Sequence, residues 1–170
     1  MATTRGQIIS PDRARQIKDF SGLLFGTITP TDIDGLIEYH DKAYIIIEVK
    51  LEGTAIPRGQ ELALERLADD LRRNGKPAIF ILAEHYVWDV DEPIDVAGAI
   101  VIKYRVQGAW HPQKDPPERV KCLIQRFLDW VDGRKTPSPM THPANPEKRL
   151  LKNPPLGQVC IPDTKPRRKT

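Results

Sequence analysis

Two hydrophobic patterns alternate along the chain. From Asp32 to Glu38 apolar and polar residues follow a period of two (Asp32-Ile33-Asp34-Gly35-Leu36-Ile37-Glu38), whereas Tyr44-Ile45-Ile46-Ile47 is a continuous, β-branched run leading into Glu48-Val49-Lys50. Alternation predicts a strand with one wet face, and a continuous run predicts a strand covered on both faces. The polar His40-Asp41-Lys42 between them predicts a hairpin turn. A second continuous run, Ala78 to Ala83, predicts another covered strand. Between the two runs Leu64, Leu67, Ala68 and Leu71 stand at i, i+3, i+4 and i+7, the stripe of a helix that opens at Pro57-Arg58-Gly59-Gln60 and closes at Asn74-Gly75. Strand, helix and strand in this order predict a parallel, right-handed βαβ unit whose sheet is covered on both sides.

The flanks extend this core. Ser10-Pro11-Asp12 is a helix-start signal for a short helix to about Asp19, and Gly22 to Thr29 predicts a first strand. Glu84-His85-Tyr86 ends the second covered strand on the side where α/β ligand sites lie; His85 either approaches a substrate or is structural. Asp89-Val90-Asp91-Glu92 lacks the glycine and terminal glutamate of a calcium loop and predicts a solvated segment that repels DNA. Ala97 to Val106 predicts a further strand, ending at Gly108-Ala109-Trp110. Tyr104 and Trp110, beside Lys103 and Arg105, either stack on bases or pack in the core. Asp115-Pro116-Pro117-Glu118 opens a last helix to about Asp132-Gly133, with Val120, Leu123, Ile124, Phe127, Leu128 and Val131 as its stripe. The fold class is therefore α/β: a central mixed sheet of four or five strands flanked by helices.

Composition adds a second region. The chain has 170 residues and a net charge of +3, but residues 134–170 hold nine Lys and Arg against two Asp and Glu, which leaves −4 on residues 1–133. Half of the 16 prolines also fall in 134–170, with no apolar periodicity. The expected organisation is one domain over 1–133 and a basic, Pro-rich arm over 134–170. The arm's end, Lys165-Pro166-Arg167-Arg168-Lys169, either grips phosphates nonspecifically or solubilises the chain. No apolar run reaches the roughly 20 residues of a membrane span, and Met1-Ala2-Thr3-Thr4-Arg5 does not open a signal peptide; the expected location is cytoplasmic. Cys122 and Cys160 have no partner at zinc-ligand spacing and are expected to stay reduced thiols.

The chemistry concentrates where the wet strand meets the covered one. Residues two apart share a strand face, so Glu48 and Lys50 hold an acid and a base side by side at the end of a buried run. A charged pair there must reach water, satisfy itself or hold a metal, because unpaired burial costs roughly several kcal/mol. Folding about residues 40–42 returns Asp34 toward Glu48, so two carboxylates converge near one ammonium. Such oxygen ligands suit Mg2+, with Mn2+ as a substitute. Lys50 would align the attacking water or offset charge in a phosphoryl transition state. Asp32 competes with Asp34 as a ligand; Gly35, allowing close approach, favours Asp34. Gln60, one turn before Leu64 on the inward face, either holds the water or a phosphate oxygen or caps free backbone groups. Arg58, at the electropositive start of the same helix, either grips a phosphate or is solvated.

Together, Asp34, Glu48-Val49-Lys50 and Gln60 resemble the motif of the PD-(D/E)XK nuclease superfamily over roughly residues 11–84. The resemblance implies a restriction-endonuclease-like αβββαβ core and hydrolysis of DNA phosphodiesters, as an endonuclease in the first instance. It also implies a metal held by Asp34, Glu48 and the backbone carbonyl of Val49. The chain departs from the pattern in two places. Thr31 separates Pro30 from Asp32, and the first helix offers Asp12 and Asp19 where many members carry a glutamate. The alternative is a catalytically inactive DNA-binding or assembly protein on the same fold. A small-molecule enzyme is disfavoured by the absence of a Gly-rich phosphate loop. A homodimer would suit paired cuts across a duplex, though no dimer surface is legible.

Overall fold

The computed structural model describes residues 19–134. The helix expected over 10–19, the arm from Lys135 onward and Cys160 lie outside the described residues, apart from Asp19 at the helix's end. Within them the elements run β1 (Gly35–Tyr39), β2 (Ala43–Leu51), α1 (Arg58–Arg73), β3 (Ala78–His85), β4 (Ile100–Val106), β5 (Ala109–Pro112) and α2 (Val120–Val131). The strands form one mixed sheet in the order β1-β2-β3-β4-β5. Only β2 and β3 pair in parallel, joined through α1; the other neighbours are antiparallel. The described residues thus form an α/β arrangement, a five-stranded mixed sheet with two α-helices.

The hairpin and the βαβ unit lie where the residue pattern predicts them. His40 and Asp41 both adopt left-handed backbone angles (φ 50° and 57°), and Lys42 N donates to Tyr39 O at 2.8 Å, closing a tight turn between β1 and β2. Ile45, Ile46 and Ile47 are all buried, as a continuous run requires, because α1 covers one face of β2 and α2 the other. Ile46 and Phe80 pack with Leu64 and Ala68 of α1. Ile45, Ile47, Ile79 and Ile81 pack with Leu123, Phe127 and Trp130 of α2. Tyr104 is in this second layer and Trp110 packs edge-on against Phe80, so both aromatics serve packing rather than stacking on a ligand.

Four expectations require correction. Gly22–Thr29 is not a strand: Ser21–Leu23 forms a short 3-10 turn and only a single bridge, Phe25 to Ile28, follows. Its glycines admit turn geometry, with Gly26 at φ 66°, and Phe25 and Ile28 stay exposed, with no neighbouring strand among the described residues to pair with. Among the described residues two strands, not three, therefore precede α1. The last helix begins at Val120 rather than at Asp115, because Glu118 O is engaged by Val101 N of β4 (2.9 Å), which holds the chain extended until Arg119. Leu67, counted in the α1 stripe, is 37% exposed, since the buried line runs through Gln60, Leu64 and Ala68. Finally, β4 starts at Ile100; Ala97–Ala99 belong to a turn begun by Asp95, whose Oδ1 accepts from Ala97 N.

Candidate active site

The register of the first hairpin builds the site. Gly35 pairs with Ile47, so Asp34, one residue before β1, falls beside Glu48, and its Oδ2 accepts a hydrogen bond from Val49 N at 2.8 Å. A Cβ on Gly35 would stand 3.3 Å from Ile47 Cδ1, so glycine lets the two strands close at this point. Glu48 points to the α1 side, alternating with Ile47 on the other, and is fully buried. Few carboxylates are so placed without partners.

Glu48 has two partners, both on one oxygen. Its Oε1 lies 2.6 Å from Lys50 Nζ and accepts from Gln60 Nε2 at 2.8 Å. Gln60 is itself buried, on the first turn of α1 below Leu64, and its amide also donates to Asp32 Oδ1 at 3.1 Å and reaches Asp32 O at 3.4 Å. Gln60 thus bridges Asp32 and Glu48, while Asp34 takes the Val49 amide. Glu48 Oε2 is buried and has no hydrogen-bond partner among the described residues. Burial pushes the Glu48 carboxyl above the ordinary glutamate range; the Lys50 ammonium pulls it back down, and the charges of Asp34 and Asp32 push it up again.

This arrangement fits a hard divalent cation. A buried carboxylate oxygen with no donor, two neighbouring aspartates and a carboxyl whose charge is opposed by burial all describe a place where added positive charge lowers the free energy. Among the described residues no three His, Cys, Asp or Glu side chains converge closely enough to form a metal-binding group by themselves. Asp34 and Glu48 with backbone and water oxygens match the sparse protein ligation that Mg2+ accepts.

The structure brings Asp34, Glu48, Val49, Lys50 and Gln60 together and leaves Arg58 outside. Arg58 opens α1 on its exposed face, with Nη1 3.0 Å from Glu61 Oε2. Glu61 also holds Lys103 Nζ at 2.5 Å, and Lys103 first, then Arg58, keep the Glu61 carboxyl below its usual range. Lys103 and Arg105 are therefore bound to α1 acids, Arg105 to Asp69 at 2.7 Å and Glu65 at 3.2 Å. Sequence reasoning placed each of these residues on its element but did not foresee the pairing of Glu61 with Lys103 or of Asp32 with Gln60; no local signal marks contacts made across so much chain. His85 closes β3, and its Nδ1 accepts from Val87 N at 3.2 Å, a structural use. Among the described residues no helix is long and apolar enough to cross a membrane. No protein-family model, no characterised protein and no solved structure matches the chain.

Proposed function

We propose that this protein is a Mg2+-dependent nuclease hydrolysing DNA phosphodiester bonds on a restriction-endonuclease-like core. The observation that carries the reading is the buried Glu48, whose Oε2 lacks a donor among the described residues while Oε1 is held by Lys50 and Gln60. Support comes also from the order hairpin, helix, parallel strand, which agrees with that core from its second strand onward.

Asp34 and Glu48, with the Val49 carbonyl, would hold the cation. Bound there, Mg2+ supplies Lewis acidity at the scissile phosphate and stabilises the charge of an in-line transition state. Lys50 contributes its ammonium from the same strand face, where it donates to the attacking water or to a nonbridging phosphate oxygen. Gln60 fixes Glu48 by its Nε2, so that Oε2 is the oxygen left for the metal. Asp34, anchored on Val49 N, is fixed in the same way. No side chain here forms a covalent bond to phosphorus; the attacking group is water.

One observation favours a second reading, a DNA-binding or assembly protein without catalysis. Lys50 at 2.6 Å already balances Glu48, so the pair persists without a metal. Cleavage of circular and linear DNA with Mg2+, with Mn2+ and with chelator separates the two. Metal-dependent cutting that is lost in both Lys50→Ala and Glu48→Ala is the expected outcome. Salt-sensitive binding to DNA with no cutting of any form would replace the nuclease by the scaffold.

A further inference from the structure

Beyond the carboxylate site, the same end of the sheet carries a second feature. At the end of β3 a cleft of about 220 Å³ opens among His85, Tyr86, Ile94, Asp95, Ala99 and Arg119. That is smaller than the roughly 300–1,000 Å³ of a drug-sized ligand site and suits one flat heterocycle. Tyr86, which lines the cleft, is 54% exposed, so one aromatic ring stands there in water. Most basic side chains of the domain are held in ion pairs, yet among the described residues the Arg119 guanidinium has no acidic partner. The Asp95 carboxylate is fixed by its bond from Ala97 N and lies 2.7 Å from where a Cβ of Gly98 would stand.

We infer that this cleft receives an unpaired base of the DNA strand being cut, stacked on Tyr86, with Arg119 on the adjoining phosphate. The inference rests on the nuclease reading for the identity of the strand. Three features point to a base. Stacking on an aromatic ring is the contact that any nucleobase accepts. The Asp95 carboxylate repels a phosphate but accepts hydrogen bonds from the amino and imino groups of a base. The acidic segment Asp89, Asp91 and Glu92, which follows Tyr86 in the chain, opposes the paired phosphate chains of a duplex.

Placement decides between one strand and two. Lys50 is the ladder partner of Glu84, and Glu52 N donates to His85 O at 2.9 Å, so the cleft adjoins the end of the site's own strand. From Leu82, the partner of Glu48, to Tyr86 is a rise of about 13 Å. Glu48 faces α1, whereas Ala99 in the cleft belongs to the α2-side core. A nucleic acid touching both must bend over the ends of β2 and β3 within that distance. A single strand turns over that edge at little cost, whereas bending a duplex so sharply, with its persistence length of about 50 nm, costs on the order of several kcal/mol. The substrate is accordingly single-stranded DNA or an unpaired flap.

The test is binding of a short single-stranded oligodeoxynucleotide carrying a fluorescent adenine analogue, in chelator, read by the quenching that stacking causes. The full chain is compared with Tyr86→Ala, Tyr86→Phe, Arg119→Ala and Lys50→Ala, and each with the matching duplex. Tyr86→Ala is expected to bind the single strand on the order of tenfold more weakly, Tyr86→Phe to retain the quenching, and neither to change duplex binding. Equal affinity and quenching in the parent and Tyr86→Ala, or a duplex quenched as strongly as the single strand, overturns the inference. Quenching that persists in the parent and Lys50→Ala in chelator, while the parent cuts no DNA when Mg2+ is supplied, supports the base cleft and removes the nuclease reading alone. Cutting by the parent with quenching unaltered in Tyr86→Ala removes the cleft alone.

Discussion

The two faces of β2 are built from alternate residues of one strand, yet they are put to different use. Toward α2, Ala43, Ile45 and Ile47 continue into an apolar layer with Ile79, Ile81, Leu123 and Phe127 that stays apolar to the strand end. Toward α1, Ile46 packs with Phe80, Leu64 and Ala68, but the next residue on that face is Glu48, matched across the interface by Gln60. Aliphatic residues in both places would have been the more stabilising choice, since a buried ion pair rarely repays its desolvation. The α2 face thus serves cohesion, and the α1 face gives up some of it at one end to hold a charged group ready.

The sharpest way to break this contrast is to remove one residue from each face. Lys50→Ala is expected to lower cleavage at least about a hundredfold; it also takes the charge partner from the buried Glu48 carboxylate, so the urea midpoint falls together with the rate. Phe127→Ala, fully buried on the other face, is expected to cost about 3–5 kcal/mol in urea unfolding and to leave the cleavage rate per folded molecule unchanged. Loss of stability without loss of rate on the α1 face, or the converse on the α2 face, would abolish the distinction.

A smaller effect concerns protons and metal. Burial holds the Glu48 carboxyl above its unfolded value of 4.5, so the unfolded chain releases this proton first and ionisation costs the folded state. The contribution of Glu48 to stability is accordingly greatest below pH 4.5 and falls as pH rises through its folded pKa. In chelator, the parent is expected to lose stability relative to Glu48→Gln over that rise. Mg2+ at a hundredfold excess over its Kd should then add about 2.7 kcal/mol to the parent at neutral pH and nothing to Glu48→Gln. Thermal melts of the two proteins across pH, with and without Mg2+, check both signs.

The smallest expected change is Gln60→Leu, which makes the α1 face apolar one step further. Stability at neutral pH should fall slightly, because the buried Glu48 carboxylate keeps only Lys50 as a partner. Glu48 Oε1 loses a donor, so its carboxyl moves further up, and cleavage should fall roughly tenfold near neutrality with the acidic limb of the pH–rate profile displaced upward. An unmoved acidic limb would show that Gln60 does not act through Glu48.

Much of this was legible in the chain. Period-two and continuous apolar runs mark β1, β2 and β3, the stripe at 64, 67, 68 and 71 marks α1 although Leu67 lies off its buried line, and strand alternation alone puts Glu48 and Lys50 on one face. These are local properties, set by backbone geometry within a few residues. Only the tertiary structure decided the rest. Gly22–Thr29 has the composition of a strand but, among the described residues, no neighbour to pair with, and pairing is not a local property. Val120 opens α2 because Glu118 is bonded to β4. The burial of Glu48, the partnerless Oε2 and the bridge from Gln60 to Asp32 exist because α1 lands on β2 with its first turn over the strand end. That contact joins residues 12 and 28 positions apart in the chain, and its energy belongs to packing rather than to any segment's own preference.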